Sequence, residues 1–245
     1  MNPFLMVLST PAPHDPFTPA PQYENAYPDM TAPRTPAFNY VTDIDKQKHW
    51  FMRSPPTPLS DNLVDKVDEI FRNRWRTLLS VDDMVDKVMS RLDGLGVLDN
   101  TFVLLTSDHG YHLGTFALTI DKRMPYETGQ ICFMLLSNKL IMVNKLVRYN
   151  IFLFMFHKKL YLDIRVPLLV RGPGVDSNKV IKDVVVNIDL APTIVEMGGR
   201  DMNSADGISF LPSLLMKDSY EESIRSNDIY STHASQLESN IRDTY

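Results

Sequence analysis

What the chain lacks narrows it first. It holds one cysteine, Cys132, so no internal disulfide can form and cysteine usage says nothing of the redox compartment. No Asn-x-Ser/Thr occurs, so it carries no N-glycosylation acceptor. The N-terminus has neither a positive n-region nor a long apolar h-region, and reads as having no signal peptide. Its apolar stretch Pro3-Phe-Leu-Met-Val-Leu8 falls short of the roughly 20 residues that span a membrane; residues 4–8 read instead as a strand. No internal repeat is evident. Net charge is −5, and no basic stripe occurs outside one odd segment, which argues against a nucleic-acid binder. With 44% hydrophobic residues in 245, the chain can bury a core, as one large domain or part of a bigger one.

The stretch around which the rest is organised is Thr101-Phe-Val-Leu-Leu-Thr-Ser-Asp-His-Gly-Tyr-His-Leu-Gly114. Phe102 to Leu105 form a short continuous apolar run, the pattern of a strand covered on both faces. Asp108 and His109 follow at once, and Gly110 permits a tight turn. In α/β proteins ligands sit beyond the carboxyl ends of strands, where this sequence puts a carboxylate beside an imidazole. An oxygen and a nitrogen donor side by side suit a divalent cation. The plainer alternative is a turn, with Asp108 bonding the backbone and Gly110 supplying a positive φ.

Upstream, the strand candidate ends in Ser9-Thr-Pro-Ala-Pro-His-Asp-Pro16, which places His14 in a loop stiffened by prolines. Residues 17–58 are rich in proline with little periodicity and read as an irregular loop, ending near Lys48-His49-Trp50; a surface or packing role is the default for His49. Ser60 or Asp61 can cap the next helix. Leu63, Val67, Ile70, Phe71, Trp75, Leu78 and Leu79, then Met84, Val85, Val88 and Leu92, predict one helix or a pair ending at Asp93-Gly94, with Gly96 beyond. Asp82 and Asp83 sit mid-helix, where successive side chains diverge by about 100° and cannot chelate one ion.

Ser107-Asp-His-Gly-Tyr-His-Leu-Gly114, followed by Ile120-Asp-Lys-Arg123 and Tyr126-Glu127, resembles the sulfatases. Pro13-His14-Asp15-Pro16 resembles the loop by which that family brings a histidine to the sulfate ester. After the strand candidate Asp163–Gly174, Val184-Val-Val-Asn187 reads as a strand. Asp189-Leu-Ala-Pro-Thr193 then begins a helix with Asp189 as its cap, and Asp206–Leu215 reads as a turn and short helix. The likeness covers residues 3–127 and 163–215 in family order.

The resemblance implies an α/β, alkaline-phosphatase-like sulfatase fold, of which this chain is expected to hold only the C-terminal half of the catalytic domain. The implied organisation is catalytic domain over 1–127, an atypical insert over 128–162, catalytic domain again over 163–216, and a polar tail over 217–245. The implied reaction is sulfate-ester hydrolysis, in the matching branch the 6-sulfate of N-acetylglucosamine in heparan or keratan sulfate, with sulfated glycosaminoglycan as partner, Ca2+ as cofactor and the lysosome as location. Asp108 and His109 would hold calcium, His109 departing from the more common asparagine. Lys122 would bind sulfate oxygens, and His14 would bind the bridging oxygen and protonate the leaving alcohol.

Two features depart from that pattern. No aspartate pair follows an N-terminal strand, and no Cys-x-Pro-Ser-Arg, the source of the family's formylglycine nucleophile, occurs anywhere; Cys132 has the wrong neighbours. The chain is therefore expected to be inactive as written. Residues 128–162 contain no Pro, Asp or Glu and five Lys or Arg. Their composition matches translated non-coding sequence, as from a retained intron; the rival is a membrane-binding amphipathic insert. Lys139, Lys145 and Arg148 break every apolar run before it could span a bilayer. A catalytically dead glycan-binding module stands as the alternative function, and a zinc phosphoesterase ranks last for want of a recognisable zinc pattern.

Overall fold

A computed structural model describes residues 3–41, 58–122, 166–181 and 183–215, with the backbone of 152–153. The expectations for His49, Tyr126, Glu127, most of the insert and the polar tail lie outside the described residues. The chain divides into two compact units, Met1–Pro173 with Ser177–Lys182, and Gly174–Asp176 with Asp183–Tyr245.

The first unit is built on α1, Asp61–Gly94, a single uninterrupted helix of about 50 Å. The Ser60 carbonyl accepts from Leu63 and Val64 N–H, but neither its hydroxyl nor any other side chain caps the helix; Asp61 favours the first turn through the helix dipole. At the far end Gly96, at φ +66°, reverses the chain while Val97 N–H closes onto the Leu92 carbonyl. The apolar stripe serves two cores. Val67, Phe71, Trp75 and Leu78 pack with Ala32, Leu59, Leu113 and Ala117. Met89 and Leu92 pack with Leu98 and Leu169.

Three alternating arginines lace the proline-rich segment to this helix. Arg72 donates to the Met30 carbonyl at 3.1 Å, Arg74 to Pro13 at 2.8 Å and Arg76 to Ala26 at 2.7 Å. Asp68 completes the attachment: its carboxylate accepts from Ala32 N–H and takes both arms of the Arg34 guanidinium. In the described part of a stretch without periodicity, several backbone groups thus find side-chain partners in place of a ladder or helix.

The strand β1, Val103–Thr106, pairs antiparallel with β3, Leu168–Arg171, and β3 pairs antiparallel with β2, Phe152–Leu153, so β3 is central. Leu105 faces Leu169 and Leu104 faces Val170 across the ladder. Val103 and Leu105, two residues apart and so on one face, pack on the Met89 end of α1. The expected strand covered on both faces is instead half-buried; among the described residues β1 is also an edge strand, paired only with β3. The expected strand at residues 4–8 is not a strand: Phe4 to Leu8 lie exposed, with no ladder partner among the described residues. An apolar run alone does not make a strand where no second strand offers its hydrogen bonds.

In the second unit the expected strand at 184–187 is likewise absent, and a 3-10 turn, Asn187–Asp189, leads into α2, Leu190–Met197. A five-residue helix, α3, Leu211–Leu215, follows the turn as expected. Asp189 is not the side-chain cap of α2. Its carboxylate reaches backwards to Val186 N–H at 2.9 Å and across to Ile208 N–H at 2.8 Å, fully buried. At Gly207 a Cβ would stand 2.2 Å from the Ile188 carbonyl oxygen, so only glycine lets the two backbones approach this closely.

Candidate functional site

One cavity of about 240 Å³ in the first unit is lined by all four residues singled out from sequence: His14, Asp108, His109 and Lys122. They arrive from three separate stretches: the loop of His14, the turn after β1, which supplies Ser107 to Tyr111, and the segment of Lys122. The helix α1 adds Arg74, Leu78 and Asp82 to the lining. The turn lies at the carboxyl end of β1, as open α/β sheets place their ligand sites.

His14 is exposed and held by its own loop, its N–H donating to the Pro11 carbonyl at 2.8 Å. Its Nδ1 donates to the Asp15 carbonyl at 3.1 Å, which directs Nε2 outward. His109 is more tightly defined. Its Nδ1 lies 2.7 Å from the Gly110 carbonyl, which can only accept, so Nδ1 carries a proton. Its Nε2 lies 2.7 Å from the Lys122 ammonium, which can only donate. The Asp108 carboxylate, which can only accept, stands 3.1 Å from the same Nε2 and is 82% exposed. Ser107 ties the turn together, its hydroxyl donating to the His109 carbonyl at 2.9 Å.

As a calcium site this donor set does not fit by itself. Calcium takes about six to eight oxygen ligands, whereas here one carboxylate and one imidazole meet, and an ammonium stands 2.7 Å from the imidazole Nε2. Among the described residues no group of three or more His, Cys, Asp or Glu could hold a metal ion.

The cavity also contains Arg74, which the sequence did not single out, and Asp82, which it set aside as half of a mid-helix pair. Both are buried and lie in the stripe of Val67, Phe71 and Leu78, at spacings of three and four. A charge in an apolar helix stripe is the signal that could have found them. Asp83, on the adjoining face, receives the Tyr23 hydroxyl instead. The pair thus points to different places, as its helical position predicts, yet Asp82 alone lines the cavity. Burial pushes the Tyr111 hydroxyl above the ordinary tyrosine range, while the Arg74 guanidinium, its centre 4.0 Å from the ring centroid, pulls the other way.

A family model described as Sulfatase matches residues 1–199. The chain is 44% identical over 215 residues to N-acetylglucosamine-6-sulfatase of Bos taurus, covering 87% of this chain and 32% of that protein. It is 42% identical to the Homo sapiens protein of the same name, with the same coverage. The chain therefore spans about a third of the length of these relatives. Among solved structures, a phosphonate monoester hydrolase from Silicibacter pomeroyi superposes with a TM-score of 0.55 at 21% identity, over 83% of this chain and 36% of that one. That likeness is one of fold.

Proposed function

The chain belongs to the sulfatase family, and from that premise we propose that its cavity receives a sulfate ester, as part of a sulfuric ester hydrolase of the N-acetylglucosamine-6-sulfatase type. One observation carries the reading: His14 lines a single cavity with Asp108, His109 and Lys122, which lie far downstream of it in sequence. The substrate class is 6-sulfated N-acetylglucosamine, in keeping with the names of the relatives, with heparan or keratan sulfate as the proposed glycan that carries it.

In this reading the Lys122 ammonium lies against the sulfate oxygens and offsets their charge. His14 faces the ester oxygen from the opposite loop. In a complete enzyme, where a nucleophile from outside this chain bonds to sulfur as the sulfur–oxygen ester bond breaks, a His14 ring protonated on both nitrogens would pass its Nε2 proton to the departing oxygen. The alcohol would leave neutral, and His14 would keep Nδ1–H on the Asp15 carbonyl. Asp108 and His109 are the cation-facing pair, two donors of a larger set, and no step is assigned to an ion. Nor is a nucleophile assigned to any residue here, since Cys132 is followed by Phe-Met-Leu. The chain by itself is proposed to bind and orient the ester without releasing sulfate.

The test is calorimetric titration with N-acetylglucosamine 6-sulfate and with the unsulfated sugar, alongside an assay for free sulfate. The sulfated sugar alone binds, no sulfate appears, and Lys122→Ala weakens binding by about 10- to 100-fold, the scale of a hydrogen bond to a charged group. Equal binding of both sugars overturns the reading of the cavity; sulfate release overturns the assignment of inactivity.

A further inference from the structure

We propose that Arg74 is a positioning residue, which holds the loop bearing His14 in register with the loop that follows Asp108 and His109. The inference rests on the role given to His14 above and names the group that makes that role possible.

Arg74 sits in the apolar stripe of α1 and is 7% exposed. A charge so placed costs free energy unless the surroundings compensate it, and its Nε has no hydrogen-bond partner among the described residues. Packing alone would favour leucine or methionine here. What the guanidinium does instead is join two loops. Nη1 donates to the Pro13 carbonyl at 2.8 Å, one residue before His14. Its plane approaches the Tyr111 ring with 4.0 Å from guanidinium carbon to centroid, two residues after His109. Phe17, three residues after His14, approaches the guanidinium from 5.7 Å and meets Tyr111 edge to face at 6.3 Å. One side chain thus touches the chain on both sides of His14 and the loop that carries His109.

The other two arginines of the series do not do this. Arg72 and Arg76 bind the Met30 and Ala26 carbonyls, which lie away from the cavity wall. A lysine cannot replace Arg74: its single ammonium can reach the carbonyl or lie on the ring, whereas the planar guanidinium does both at once.

Two measurements on the whole chain test this. The first is a double-mutant cycle on binding of N-acetylglucosamine 6-sulfate. Arg74→Lys lowers affinity by about tenfold in the wild-type background, the scale of one lost charge-assisted hydrogen bond. In a His14→Ala background it lowers affinity by less than about twofold, since the arginine acts through the histidine. An equal fall in both backgrounds means a merely structural role and overturns the proposal.

The second measurement uses no ligand: NMR of the 13C-histidine-labelled chain, with the His14 ring signal assigned from His14→Ala. Arg74→Lys shifts that signal, Tyr111→Leu shifts it with the arginine intact, and Arg72→Lys leaves it in place. A His14 signal unmoved by both Arg74→Lys and Tyr111→Leu overturns the proposal. Should the wild-type chain bind no sulfated sugar, the sulfate-ester reading fails while the ring signal still decides the positioning role.

Discussion

Asp189 carries out a task that its position in sequence conceals. Standing one residue before a helix it reads as a cap, yet the carboxylate accepts from Val186 and Ile208 N–H groups on either side of the turn. Its own carbonyl meanwhile accepts from the Thr193 hydroxyl at 2.6 Å, and Thr193 Oγ1 in turn accepts from Phe210 N–H at 3.0 Å. Asp189→Ala would leave buried donors without an acceptor, which costs about 1–3 kcal/mol. Amide exchange at Ile208 should accelerate correspondingly, and unchanged exchange there would sink this account. The identity of the residue was legible beforehand; its partners were not, because Ile208 lies far downstream and no local pattern announces the pairing.

Among the elements, α1 was the most legible. Apolar residues recurring at three and four specify a helix locally, and both ends fell within a residue of the positions read from Ser60, Asp61 and Gly94. What the stripe could not disclose is that its two halves serve different cores. Met89, wholly buried, touches the sheet side with Leu98 and Leu169, whereas Phe71 and Trp75 touch the proline-rich segment. Met89→Ala should therefore cost about 2–5 kcal/mol, as core truncations do, and should loosen amide protection along β1 and β3 before that of the Ala32 region. Uniform loss of protection in both regions would argue against two separable cores. The strands fared worse than the helix, since a strand exists only when a partner supplies its ladder. Residues 4–8 and 184–187 have apolar sequence but no ladder partner among the described residues, and neither forms a strand.

For the molecule as a whole, the titration of two tyrosines gives a pH dependence with a definite sign. Tyr27 and Tyr111 are both raised above the ordinary value of 10.0, first by burial; the Asp82 charge adds to the shift at Tyr27, and at Tyr111 the Arg74 charge opposes it. The folded chain thus keeps both phenol protons at a pH where the unfolded chain has released them. The stability they contribute is complete below about pH 10 and is lost as pH rises through the folded-state values. Thermal midpoints should hold steady up to about pH 9.5 and fall beyond it, with part of the slope removed in Tyr111→Phe. A midpoint that does not fall up to about pH 11 would contradict both assignments.

Sequence by itself determined the family and the helix and nominated four residues for the candidate site, because a short motif, or a period along one helix, is local information. The tertiary structure alone decided that His14 and Lys122 face the same cavity as Asp108 and His109, that Asp82 faces it while Asp83 does not, and that Arg74 bridges the two loops. Those facts depend on where backbone carbonyls and rings separated by tens of residues come to rest. Hydrogen bonds and burial settle that only once the chain has packed.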